Sequence, residues 1–219
     1  MEELSMDGEK LRTAATIMVE AGKQIDEMID ILEEKLIEAF TNEKEKKSAE
    51  EYDYEGENNK GNDWISKCWL WDIELQKETR KGHKKTEAHI AIKVVLYNED
   101  EMKDSNWEPS LYVIYKKGEK AFNLENSLWI HSAKKEGWEL DGNRLWRWKE
   151  EDEEGWAFVL PLVELDSENT LKEQIILPVK KLLENSFASN PFPDKPVAFQ
   201  FNQGKDGLSI LKLSPKGKI

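Results

Sequence analysis

Asp72 and Glu74 sit two residues apart in Trp71-Asp-Ile-Glu, and Glu87 follows beyond a basic stretch. In an extended chain, residues two apart point to the same face, so the pair would present two carboxylates side by side. A third from the next strand would make a cluster of the kind that holds Mg²⁺ for phosphodiester hydrolysis. These three are the catalytic candidates. Two carboxylates on the solvent face of a half-buried strand are also the ordinary pattern for an antiparallel sheet, and they are expected on an exposed face here.

The order of one helix followed by three strands is loosely similar to the front half of a restriction-nuclease-like core. That core pairs its metal carboxylates with an acidic-x-Lys element on the next strand, whereas Glu87 is followed by Ala88 and His89, and Lys93 lies too far along. The other reactive types are sparse. Cys68 is the only cysteine, so it can form neither an internal disulfide nor a thiolate metal site by itself. His83, His89 and His131 show no metal-pair spacing: His83 falls in a basic turn, and the other two fall in strands where a hydrogen-bonded structural role is usual. Neither a P-loop nor a Gly-x-Ser-x-Gly elbow occurs, and no cofactor is expected.

Binding residues are the stronger theme. Nine tryptophans are many for one core to enclose, so some are expected at the sheet surface as partner anchors. Trp146 and Trp148 alternate with Arg144 and Arg147, and Glu150, Glu151, Asp152, Glu153 and Glu154 follow directly, making a mixed patch that a protein partner could read. The same acidic run, with Glu50 to Glu57, could stand in for phosphates on a basic partner.

Three kinds of element must position these groups. Leu11, Ala15, Met18, Gly22, Ile25, Ile29, Leu32 and Leu36 alternate steps of four and three, the a/d seam of a helix over residues 1–40, with Asp7 placed to cap it. Ala15 and Gly22 make the seam shallow, and Ile17, Met28, Ile31 and Ile37 widen it, so it packs within the chain or self-associates through Leu11, Met18, Ile25, Ile29, Leu32 and Leu36. Residues 41–63 are highly charged and rich in Asn and Gly, which predicts a linker.

From residue 64 to 219 the period is two over most segments: strands are expected at 64–76, 87–97, 110–116 and 128–131. A hairpin of 144–149 with 155–163 carries an aromatic ladder of Trp146, Trp148, Trp156 and Phe158, and a last pair covers 197–202 and 208–213. A helix from Thr170, with a capping box to Glu173, should kink at Pro178. The expected fold is α+β: a long amino-terminal helix, then a mainly antiparallel sheet covered by a kinked helix.

The 219 residues carry 32 Lys and Arg against 45 Asp and Glu, a net charge of −13. A reader of duplex grooves needs the opposite sign, so direct duplex binding is not expected. Mean hydropathy is −0.75, but 38% hydrophobic residues is too many for a disordered acidic chain. No stretch approaches the roughly 20 apolar residues a membrane span needs, and a secretory leader is not expected from the opening residues. The expectation is therefore a cytoplasmic, non-enzymatic interaction or regulatory protein with a protein partner, forming a homodimer if the first helix self-associates. The acidic mimic and the metal-dependent hydrolase are the alternatives.

Overall fold

The computed structural model describes residues 8–41, 47–57, 68–96, 108–122, 138–149, 154–185, 191–204 and 207–211. Helix α1 (Gly8–Phe40) opens the chain, and strands β1 (Lys47–Glu57), β2 (Cys68–Glu78), β3 (Lys84–Val95) and β4 (Ser110–Lys117) follow. Next come β5 (Glu139–Asp141), β6 (Leu145–Lys149) and β7 (Glu154–Pro161). Helix α2 (Glu168–Leu171) runs through one π-helical segment, Lys172–Ile176, into α3 (Leu177–Glu184), and β8 (Gln200–Gly204) pairs with β9 (Gly207–Leu211) as a separate hairpin. Strands β1 to β7 form one sheet in the order β1-β2-β3-β4-β7-β6-β5, every neighbouring pair antiparallel. The fold is α+β with an antiparallel sheet, as the periodicity indicates.

Both faces of this sheet are covered. On one, Ile73, Ile90, Ile92, Val113 and Phe158 pack under Leu32 and Leu36 of α1 and under Ile175 and Val179 of the later helix. On the other, Leu70, Ala91, Tyr112, Trp146 and Val159 pack under Phe122, Phe199 and Phe201. Two backbone bonds seat the carboxy-terminal segment there: Phe199 N–H donates to the Val159 carbonyl and Phe201 N–H to that of Asn143, each at 2.7 Å. Burial on both sides explains why Ala88 to Val95 of β3 is buried without alternation.

Several local expectations change. Lys47–Glu57, inside the stretch expected as a linker, is a strand, and its charge is compatible with an edge position that pairs only with β2. A shift of register between Glu51 and Asp53 marks a bulge there. The later helix starts before Thr170: Ser167 is its cap, and its Oγ accepts from the Thr170 N–H at 3.2 Å. Pro178 falls in the first turn of α3, directly after the π segment that divides the helix, where Leu177 N–H reaches back to the Lys172 carbonyl.

The aromatic ladder divides. Trp146 opposes Ala157 and Arg147 opposes Trp156, so Trp146 lies on one face while Trp156 and Phe158 lie on the other. The cap at Asp7 and the strand expected at 128–131 fall outside the described residues.

Candidate interaction surface

Helix α1 spans 33 residues, about 50 Å at roughly 1.5 Å per residue. The sheet supports only its second half. Met28, Ile29, Leu32 and Leu36 are buried against the core, and Ile25, Ile31, Ile37 and Phe40 are partly so. Between Glu9 and Gln24, every side chain described is exposed except at Gly22, which is half-covered. Ile17, Met18 and Val19 stand 60%, 40% and 58% exposed.

The self-association set therefore splits. Ile29, Leu32 and Leu36 are taken by the chain's own sheet and cannot meet a partner, a correction to the seam expected over the whole helix. Ile25 lies at the boundary and Met18 is bare, while the Leu11 side chain is outside the described set. The physical reason is reach: the apolar stripe runs the length of the helix, but only its second half lies over the sheet and the later helix.

The carboxylates expected to cluster do not. Asp72 is fully buried, not on a solvent face, and His89 Nδ1 lies 2.9 Å from its Oδ2. His89 Nε2 lies 3.3 Å from the Glu119 carbonyl, so the ring has acceptors on both sides. The pair is enclosed in the interior, where each contact replaces water that burial removes. Lys116 Nζ, on the same face, lies 4.7 Å from the Phe122 ring centroid and 3.5 Å from the Ala121 carbonyl. His89 and Lys116 thus tie the 118–122 segment over the sheet.

Glu74 accepts from the Thr86 hydroxyl. Glu87 pairs with Lys77 at 3.8 Å and borders a cavity of about 490 Å³ between the end of α1, α3 and the sheet. Tyr115 borders the same cavity, and burial, then the charges of Glu154 and Glu87, push its hydroxyl up to about 12. Among the described residues no group of three or more His, Cys, Asp or Glu is placed to hold a metal ion. Cys68 is buried and His83 is exposed in its turn.

The Trp and Arg patch dissolves as well. Trp146 is completely buried, stacked edge-on against Phe201 at 5.5 Å, and so is not an exposed anchor. Trp148 is half-buried and stacks on Trp138 at 5.9 Å. Arg147 donates to Asp141 at 2.5 Å, and Arg144 donates to the Ala198 carbonyl at 3.1 Å and to Gln200 Oε1 at 3.4 Å. Burial lowers the Arg144 pKa. Glu154 pairs with Lys117 at 3.4 Å, while Glu150, Glu151, Asp152 and Glu153 lie outside the described residues.

One structural residue has no periodic signal at all. Gln174, buried in the π segment, accepts from Val197 N–H at 3.0 Å and donates to the Lys195 carbonyl at 3.2 Å, fastening the Pro-rich loop. Its spacing from that loop in sequence hides it.

The class defined by these features is an α+β body on a seven-stranded antiparallel sheet, from which half of a long amphipathic helix projects. Compared with protein-family models, with curated proteins and with solved structures, the chain matches none. Among the described residues no helix is long and apolar enough to cross a membrane.

Proposed function

We propose that the protein is a non-enzymatic interaction protein that assembles with a second copy of itself through the projecting half of α1. The supporting observation is that Met18, with Val19 on its flank, stands exposed on a helix whose same apolar stripe is buried at Ile29 and Leu32, three to four turns further on. A run of large apolar side chains on a projecting element costs free energy until something covers it. A segment of this length also gains little stability from helix propensity alone.

Charge permits a second copy as the cover. The chain as a whole is strongly acidic, but from Glu9 to Gln24 the basic residues Lys10, Arg12 and Lys23 outnumber Glu9 and Glu20. Two copies meeting here avoid the repulsion that their bodies would otherwise exert, which is screened beyond about 8–10 Å at ordinary ionic strength.

Light scattering on the full chain and on Met18→Glu tests the reading. The unaltered chain should run as a dimer and the variant as a monomer, with equal melting temperatures at concentrations low enough to dissociate the dimer. A monomer in both would overturn it, as would capture on lipid vesicles without self-association.

A further inference from the structure

We infer that the two copies pair with their α1 helices antiparallel, about a two-fold axis between Thr16 and Ile17; the inference rests on the self-association reading above. In the uncovered half of the helix, up to its boundary at Ile25, the a positions are Gly8, Ala15 and Gly22 and the d positions are Leu11, Met18 and Ile25. Every a residue is small and every d residue is large. In an antiparallel pair an a residue of one helix faces a d residue of the other, so each layer of the seam sets a large side chain against a small one. Leu11 falls opposite Gly22, Ala15 opposite Met18, and Gly8 opposite Ile25. A parallel pair would instead stack Gly22 on Gly22 and Ala15 on Ala15, leaving gaps, and crowd the large residues into alternate layers.

The span agrees with the packing. Layers from Leu11 to Gly22 cover the part of α1 that the sheet does not, and the outermost layer sets Gly8, which brings no side chain, against Ile25, already partly packed on the chain's own core. No layer asks a partner to enter space already filled. Below this point the a positions become Ile29 and Leu36, large residues buried in cis. The change from small to large a residues therefore falls where the helix changes from one kind of partner to the other. On the flanks, Ala14 lies beside Ala21, letting the helices approach closely, and the Arg12 stem lies along Val19, which is 58% exposed in the single chain. A body with an added Cβ at Gly22 meets nothing within 4 Å in its own chain, so the room there is open to a partner.

The seam is about 25 Å long at roughly 1.5 Å per residue. That places it near the lower limit of specific interfaces, about 1,000–1,200 Å² in total, and a dissociation constant on the order of micromolar is expected.

Mixed disulfide trapping tests the orientation, because Cys68 is buried and introduced thiols report alone. Leu11→Cys and Gly22→Cys chains, mixed and oxidised, should give the mixed cross-link and little Leu11→Cys homodimer. In a parallel pair these two positions are about 16 Å apart, beyond the roughly 7 Å Cα separation that a disulfide tolerates. A spin label at Glu9→Cys checks the same point without touching the seam. Antiparallel helices place the two labels about 22 Å or more apart along the axis, and parallel helices place them side by side. Leu11→Cys homodimers, or short Glu9 distances, in a chain that light scattering shows to be dimeric would overturn the orientation and leave self-association standing. A dimer that forms neither cross-link would overturn the seam itself. A monomer would overturn the reading beneath it.

Discussion

Met18 and Leu32 occupy the same heptad position two heptads apart on one unbroken helix, yet Leu32 is completely covered and Met18 is 40% exposed. Propensity and amphipathic pattern continue through both, so nothing local distinguishes them. The difference is tertiary: Leu32 lies over the sheet and the later helix, and Met18 lies beyond them. The helix is thus anchored at one end and presented at the other.

Gly22→Ala separates the two roles of α1. The new methyl meets nothing in its own chain, so the helix should gain about 1 kcal/mol from the removal of an interior glycine. The same methyl occupies the room that receives the partner's Leu11. Helicity and melting temperature at low concentration should rise while the dimer weakens several-fold by sedimentation. A variant that gains both stability and dimer affinity would contradict the layer assignment.

His89→Ala should be severe for a residue that touches no ligand. It removes the partner of Asp72 Oδ2, and Asp72 Oδ1 already lacks a hydrogen-bond partner in its buried site. An uncompensated buried carboxylate costs about 3–5 kcal/mol, whereas replacing both members with leucine costs less. Urea unfolding of the single and double variants checks this. A loss below about 1 kcal/mol for His89→Ala would show that the pair is not sealed as described.

Gly155 is required by two aromatic rings and a strand. A Cβ there would lie 2.7 Å from the Tyr115 carbonyl oxygen, 3.2 Å from the Trp148 ring and 3.3 Å from Trp138. The backbone oxygen cannot move without opening the β4–β7 pairing, so Gly155→Ala should cost about 1–3 kcal/mol. The Trp138 and Trp148 stack should loosen with it, seen as a change in tryptophan emission. Wild-type stability with unchanged emission would argue against this packing.

Tyr115 sets an alkaline limit. Its hydroxyl, ordinarily near 10, is pushed up to about 12 by burial first and then by Glu154 and Glu87. Between those values the unfolded chain has lost the proton and the folded chain keeps it, so stability falls as pH rises. The contribution is full below about pH 10 and gone above about 12. Two units correspond to at most about 2.7 kcal/mol, and partial solvent screening reduces this to about 1–2. Denaturant titrations at about pH 9 and pH 11 should show Tyr115→Phe losing less stability over that interval than the unaltered chain, with the stack on Trp156 retained. Equal losses would contradict the assignment.

The sequence carries the period of each long element clearly. The three-four spacing from Ile25 to Leu36 belongs to an element that buries one regular stripe, and there pattern and structure agree; β2 is a strand as its alternation indicates, but Cys68, Leu70 and Asp72 are buried on one face and Ile73 on the other. What covers a stripe is less legible. Asp72, Glu74 and His89 look like a solvent face because polar residues alternate there, and the aromatic cover, Phe199 and Phe201, is more than a hundred residues away. Strand β1 was hidden for the opposite reason: an edge strand needs only one row of partners and tolerates the charge that otherwise marks a linker. Trp146 and Trp148 were legible as a strand but not by exposure, since a Trp can be wholly enclosed when a distant segment folds over it.

Sedimentation equilibrium of the unaltered full-length chain, from about 1 to 100 µM, tests the central claim most directly. Reversible monomer and dimer with a dissociation constant on the order of micromolar is the result the projecting helix requires. A single species of about 25.5 kDa across the whole range would contradict it.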